Sequence, residues 1–585
     1  MIGPVFHREA AVAPRRVKVY VARAAYALAL LVLMSTAWLV LTGTQLVRDV
    51  GDLARFGTML FQILAPVQLA LASFFSATLA ASAVAQEKDR RTLVLLLLTR
   101  LSNSELVLGK LLASLLLVLV MLAAAWPVFM LAALLGGVSF GQIGRALAVT
   151  LASVAACGSL GSTLALWREK TFQALAMTVL FLVLWLAVWE IVAAGAWGAE
   201  IAGLPCRTLA AGFSPWRAIL EVTQPSMHAE PALGWLCTPV QLFILAAVAI
   251  SLFLNGMAIA MVRVWNPSRE RVERGEGRGE REKSRVSTLC VGTSARTRPV
   301  WDNPIIWREM RTWAYGRKIL VVRLAYLLLF ALAAGSLYAM LQSGPLSAHG
   351  QGAPALVGLL LLSLVLINAQ AVTSLTSERD AGALDLLLVT DLTPKEIVYG
   401  KLGGVFYNTK EMVLLPMLLC GYLCFAGSLS LENLAYLLGG LAVLYLFVAV
   451  LGIHAGITYA NSGVAVGASL GTVFFLFLGV AVCMRIMMAF SGSFQAQFLP
   501  FFAFMVFGGV GLYAVLGVRN PSTAIGAASL LCPLATFYAI TSFLLDSTLG
   551  VFLVTVAAYG FITAAMLVPA IYEFDVATGR TTIEE

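Results

Sequence analysis

Charge is scarce in this sequence. Only 12% of its 585 residues are Asp, Glu, Lys or Arg, while 60% are hydrophobic before its 50 glycines are counted. An ordinary soluble domain carries about 25% charged residues. No soluble fold hides that much apolar surface, so a soluble enzyme, a disordered chain and a fibrous repeat are all excluded. An integral membrane protein with many spans remains. The long apolar runs also lack the alternation of an outer-membrane barrel, which leaves helices.

Other absences narrow the chemistry. No Gly-x-x-x-x-Gly-Lys-Ser/Thr phosphate loop exists: Gly109-Lys110 and Gly400-Lys401 are preceded five residues earlier by Ser104 and Lys395 and followed by Leu. The chain therefore lacks the usual ATP cradle. No His-Glu-x-x-His occurs, and the four His do not cluster with Cys or carboxylates. Gly-x-Ser-x-Gly occurs around Ser139 and Ser469, but the first is a turn between spans and the second lies inside one. Both read as small-residue helix packing rather than as a nucleophile elbow. The eight cysteines form no framework; Cys206 and Cys237 flank one loop and would pair only if it faces an oxidising compartment. The N-terminus has no signal-peptide shape, so its first apolar run is read as a retained helix.

The first half presents spans at 19–43, 57–85, 106–135, 142–166, 172–197 and 236–264. Residues 263–318 then carry 14 Lys or Arg against 7 Asp or Glu, which is +7 of the net +9. Within this segment 265–302 reads as a basic, solvated linker with no aromatic residue between Trp265 and Trp301, so lipid headgroups suit it better than nucleic acid. The second half spans 319–341, 353–376, 402–427, 431–459, 465–490 and 548–572. Two further apolar stretches, 498–518 and 525–545, either both span or both dip in from outside. The preferred total is 12 helices, with 14 the alternative. Basic residues in the N-terminus, the 86–105 loop and the linker put both termini in the cytoplasm.

Self-similarity is the strongest signal. Pro4, Arg8, Glu9, Lys18, Arg23, Ala25 and Tyr26 recur at a constant offset of 300, as Pro304, Arg308, Glu309, Lys318, Arg323, Ala325 and Tyr326. A second block recurs at an offset of 291: Glu87, Asp89, Thr99, Glu105, Gly109 and Lys110 become Glu378, Asp380, Thr390, Glu396, Gly400 and Lys401, with Leu residues between them. The chain reads as an all-α polytopic membrane protein of two parallel six-helix repeats, residues 1–264 and 303–585. Parallel repeats place a pathway at their interface. Ser102 with Glu105, and Thr393 with Glu396, fit a capping box at the start of the third span. A short amphipathic helix lying along the membrane before it completes the reading.

This block resembles the cytoplasmic loop of ABC-2 type permeases, the membrane subunits of ATP-binding-cassette exporters of the type V or G-like fold. The resemblance extends to the basic lead-in segments 4–18 and 304–318, which carry Arg8, Glu9, Arg308 and Glu309. It also includes the turns Ser214-Pro215-Trp216 and Asn520-Pro521-Ser522 after the fifth spans. Copy one departs at Arg90-Arg91, where copy two has Ala381-Gly382. The resemblance implies a bacterial inner (plasma) membrane permease that binds no cofactor itself. ATP and Mg would be handled by two separate ATPase subunits, docked on coupling helices in the two loops, and the second and fifth spans would line the path. On this reading Glu87, Asp89, Glu105, Gly109, Lys110, Glu378, Asp380, Glu396, Gly400 and Lys401 form the coupling element. The carboxylates would pair with the ATPase, the glycines would allow close packing, and the lysines would anchor at headgroups.

Few ionisable residues fall inside spans. Glu190, His454 and Arg485 are functional candidates on that ground. The structural alternative is that Glu190 and Arg485 snorkel or pair with each other. Two rivals to an ATP-driven exporter stay open: a secondary transporter, which would need a proton-binding carboxylate such as Glu190, and a non-transporting scaffold. The substrate is not legible.

Overall fold

The structure is a computed structural model that describes residues 4–12, 17–44, 49–194, 200–201, 204–224, 238–266, 303–311, 319–343, 353–489, 494–518, 521–572 and 574. The linker expected at 265–302 falls outside them from residue 267 on, as does Cys237, so the Cys206–Cys237 pairing is not described. The chain is helical almost throughout. Its one strand pairing among the described residues is a two-residue ladder, β1 (Glu200–Ile201) against β2 (Leu204–Pro205).

The first half consists of α1 (Pro4–Val12), α2 (Val17–Thr44), α3 (Val50–Asp89), α4 (Thr92–Leu98), α5 (Asn103–Leu134), α6 (Phe140–Trp167), α7 (Thr171–Ala193), α8 (Cys206–Phe213), α9 (Pro215–Thr223) and α10 (Pro239–Trp265). The second consists of α11 (Pro304–Arg311), α12 (Ile319–Ser343), α13 (Ala353–Asp380), α14 (Ala383–Leu388), α15 (Pro394–Asn408), α16 (Lys410–Phe425), α17 (Leu431–Thr458), α18 (Ser462–Ala489), α19 (Phe494–Leu516), α20 (Thr523–Leu544) and α21 (Thr548–Tyr572). Thirteen of the described helices are long and apolar enough to cross a membrane, which makes this a multi-pass membrane protein. A helix satisfies the backbone N–H and C=O groups of its interior within itself, the condition for residing in lipid.

The two halves pack alike. In each, the second span lies against the fourth (α3 on α6, α13 on α17). The contact is made by a repeated glycine: a Cβ on Gly161 would stand 2.3 Å from the Ala77 carbonyl oxygen, and one on Gly452 would stand 2.9 Å from the Asn368 carbonyl oxygen. Residues 77 and 161 map onto 368 and 452 at the same offset of 291. Small residues let the backbones approach where no hydrophobic effect drives them together.

Two expectations change. The 402–427 span is not one helix, because α15 ends and α16 begins at Thr409. Across the break the Thr409 N–H still donates to Val405 O at 3.0 Å, with the Thr409 hydroxyl as a second donor at 2.9 Å, and Thr409 O accepts from the Met412 and Val413 N–H groups of α16 at 2.9 and 3.2 Å. The stretches at 498–518 and 525–545 are also full-length helices, α19 with 23 residues and α20 with 22. The end of α19 reaches the face that carries the repeated loops. There the Tyr459 hydroxyl, at the C-terminus of α17, donates to Val515 O at 2.9 Å. Both helices therefore traverse the bundle, and with α15 and α16 together making one crossing beside the thirteen the higher of the two counts, 14, fits.

That depth also separates the two turns likened to each other. Ser214 caps α9 at the far end of the bundle, where α9 packs among α3, α6 and α10. Ser522 caps α20 at the loop face instead, a full helix away; Asn520 lies outside the described residues.

Candidate functional site

The site is the pair of repeated loops. In the first, α3 runs on to Asp89 and the chain then turns through Arg91 at φ 59°, in the left-handed region. In the second, Gly382 takes the same conformation at φ 70°. The turn needs a left-handed residue, which glycine supplies freely and arginine only at a cost. The short helices α4 and α14 follow. Leu93 and Leu384 are buried as anchors, while their neighbours Leu95 and Leu386 are 64% and 73% exposed. Leu98 and Val389 are exposed as well. Each loop then closes with the expected box. Glu105 N–H donates to Ser102 Oγ at 3.3 Å and Ser102 N–H to Glu105 Oε2 at 3.0 Å; Glu396 and Thr393 do the same at 3.3 and 2.8 Å. The Thr393 bonds hold the Glu396 carboxyl below the ordinary carboxylate range.

The expected roles of the other charges are not the ones observed. Glu87 pairs with Lys110 and Glu378 with Lys401, so each repeated carboxylate meets the repeated lysine of its own half. Lys401 is not at the headgroups: it is 1% exposed and sits 2.7 Å from both Glu309 Oε1 and Glu378 Oε1. Arg308 closes this cluster against Glu378. The lead-in helix α11 is thereby tied to the end of α13 and the start of α15. It approaches closely because a Cβ on Gly400 would stand 2.7 Å from Ile305 Cβ, and one on Gly404 2.8 Å from Glu309 Cβ. In the first half α1 packs on α5 in the same way, and Gly109 is buried there. Arg8 is exposed, and the Glu9 side chain lies outside the described residues. A buried carboxylate is tolerated only with a partner of this kind.

Sequence reasoning missed the residue between the two acids. Lys88 donates to Leu166 O and, at 2.9 Å, to Arg168 O. Arg379 donates to Gly456 O at 2.5 Å, to Ile457 O at 3.2 Å and to Tyr459 O. Each cation thus covers the orphan carbonyls at the C-terminus of its half's fourth span, where cations are also favoured by the helix dipole. The signal was a repeated charge, Lys against Arg, hidden by the search for repeated letters.

Among the described residues the halves meet where α3 packs on α18, where α2 packs on α19, and where α7 packs on α13 and α12. The second and fifth spans of each half touch those of the other, and the first spans α2 and α12 add contacts with α19 and α7. From the loop face inward along the first seam, Gln86 Nε2 donates to Asn461 Oδ1 at 3.4 Å, Gly471 faces Phe75, and Phe74 stacks on Phe474 at 4.3 Å. Ser469 donates to Asn368 at 2.9 Å and is fully buried, which fits the packing reading of that Gly-x-Ser-x-Gly. Ser139 is the N-cap of α6. At the loop face Arg90 Nε bonds Asp380 Oδ1 at 3.0 Å across the halves, and Asp89 accepts from the Thr171 hydroxyl at 2.5 Å. The residues that depart from the family pattern, Arg90-Arg91, thus form a turn and a cross-half tie.

Glu190 does not pair with Arg485. It is held by Arg217 of α9, which donates through Nε at 2.8 Å and through a second guanidinium nitrogen. His454 Nε2 lies 3.0 Å from Leu516 O, capping the end of α19. Arg485 lines a cavity of about 190 Å³ with Met59, Gln62, Ile63 and Met488.

Residues 53–198, from α3 to just beyond α7 and including the first loop, match the family model described as ABC-2 family transporter protein. No curated protein and no solved structure matches the chain. The family match supports an ABC-2 type permease, the transmembrane component of an ABC transporter rather than its ATPase.

Proposed function

We propose that this chain is the permease of an ATP-driven exporter, with both half-permeases fused in one polypeptide. Two separate ATPase subunits bind ATP and Mg and dock on its two loops. The loop face and both termini are cytoplasmic, the membrane is a bacterial inner membrane, and the cargo moves by alternating access. The bilayer is its other partner; nucleic acid is not.

One observation carries this reading: two short helices on one face, related by the repeat, each anchored by a buried Leu and each presenting an exposed one. An apolar ridge of that kind suits a groove on a partner. The bracing supports the transmission of force. Pushing α14 moves the end of α13, the start of α15 and α11 together, because Lys401, Glu378, Glu309 and Arg308 bind them into one block. Arg379 extends the block to α17. In the first half Lys110–Glu87 and Lys88 link α3, α5 and α6. The carboxylates first assigned to the ATPase serve here as internal braces, and the contact falls to Leu95, Leu98, Leu386 and Val389. The candidate relay residues of a secondary transporter, Glu190 and His454, are already satisfied by Arg217 and the Leu516 carbonyl.

The test is co-purification from detergent with an ATPase encoded beside this chain. Leu95→Asp with Leu386→Asp is expected to abolish association while the thermal midpoint holds. Undiminished association of that variant, or no ATPase on the wild type, overturns the reading.

A further inference from the structure

We infer that the two loops dock two different ATPase subunits, the first subunit carrying acidic residues beside its groove and the second carrying basic ones. The inference rests on the permease reading and gives each loop its own partner.

The loops present one apolar ridge in two electrostatic settings. At the constant offset of 291, Leu95 and Leu98 correspond to Leu386 and Val389, and all four are exposed. The charges around them are not kept. Residues 90–104 contain Arg90, Arg91 and Arg100 and no acid, whereas residues 381–395 contain Asp385 and Asp391 against Lys395. The reversal is sharpest just past the short helices, where Arg100 corresponds to Asp391. Both are exposed, as is Arg91.

Arg91, Arg100 and Asp391 have no role within the chain. Among the described residues their side chains make no hydrogen bond or ion pair. Their charged neighbours are engaged: Arg90 holds Asp380, and Lys395 lies 5.4 Å from the centre of the Tyr572 ring. Arg263 of α10 donates to Leu97 O at 3.1 Å and to Leu101 O at 3.5 Å, so the end of α4 is capped without Arg100. The Thr393–Glu396 box caps α15 without Asp391. Arg91 also keeps its cation in left-handed backbone, at φ 59°, where Gly382 stands without strain.

Headgroup anchoring does not account for this pattern. It favours a cation at the same depth in both copies, and the second copy has an aspartate there. Two identical ATPases would bring one and the same rim to Arg100 and to Asp391. A rim that attracts one of these charges repels the other. Charge around an apolar contact chooses the partner and steers its approach more than it adds affinity. Like charges at the wrong loop exclude the wrong subunit. An acidic-rimmed subunit on the first loop and a basic-rimmed one on the second satisfy both loops, and they fix which subunit serves which half.

The full-length chain is co-expressed with the ATPases encoded beside it, singly and in pairs, and each complex purified in maltoside is weighed intact by native mass spectrometry. The wild type should carry one copy each of two subunits of different mass, and a single copy of either when that one is expressed alone. Arg100→Asp should lower occupancy by the first subunit about tenfold and spare the second. Asp391→Arg should do the converse, with thermal midpoints unchanged in both. Two copies of one subunit on the wild type, or subunit occupancies that neither substitution shifts selectively, overturn the inference and leave the permease reading standing. Leu95→Asp with Leu386→Asp should release both subunits, which separates loss of docking from loss of partner choice. A wild type that carries no ATPase overturns both readings.

Discussion

The two loop blocks are built from the same repeated residues and differ in how deeply those residues lie. In the second half Lys401 is 1% exposed, between two carboxylates from two helices. In the first, the side chains of Lys110 and Glu87 are 11% and 28% exposed. The turns differ in the opposite sense, with Gly382 in its natural left-handed conformation and Arg91 strained into it. The comparison shows how duplication diverges. The pairing geometry is kept in both copies, while one copy has a buried brace and the other has Arg91 where its counterpart has Gly382 and, where its counterpart has Ala381, Arg90, the tie to Asp380.

The largest expected effect tests the brace. Lys401→Met leaves the buried Glu309 and the partly buried Glu378 with Arg308 alone and should cost about 3 kcal/mol, the lower end of what removing one partner of a buried pair costs. Lys110→Met should cost about 1 kcal/mol, since its pair is partly solvated. Reversible unfolding in mixed micelles measures both, and equal losses would erase the distinction between the halves. Next come the cations that cover the fourth spans. Arg379→Gln and Lys88→Gln should each cost about 2 kcal/mol, the scale of hydrogen bonds to a charged group. Amide exchange should quicken at the end of α17 in the first variant and of α6 in the second. Uniform exchange across the bundle would deny them that local role. The smallest effect concerns the turn. Arg91→Gly should stabilise by about 1 kcal/mol, and Gly382→Arg should destabilise by a similar amount. A loss on Arg91→Gly would mean that its side chain matters more than its backbone.

Features set by near neighbours were legible in the sequence. The capping boxes depend on residues three apart, so Ser102 with Glu105 and Thr393 with Glu396 could be read directly. The duplication, the helical class and the Leu-rich loops were legible for the same reason. Partners far apart in sequence were not. Glu378 lies 23 residues from Lys401 and 70 from Arg308, and nothing local says that these three meet. The ambiguity at 498–545 had a different origin. Hydropathy reports apolarity but not depth, and an even number of added crossings leaves the charge pattern unchanged. The bond from Tyr459 to Val515 supplied the depth. The break at Thr409 was equally hidden, because no proline stands there to mark it.

The sequence by itself determined that this chain resides in a membrane, that it is helical and that it is doubled. Those properties follow from composition and periodicity, which act residue by residue against a solvent that hydrogen-bonds nothing. Only the tertiary structure decided which charges face inward. Whether a glutamate docks a partner or braces a lysine depends on what a distant helix brings within about 3 Å, and the chain's order does not record that distance.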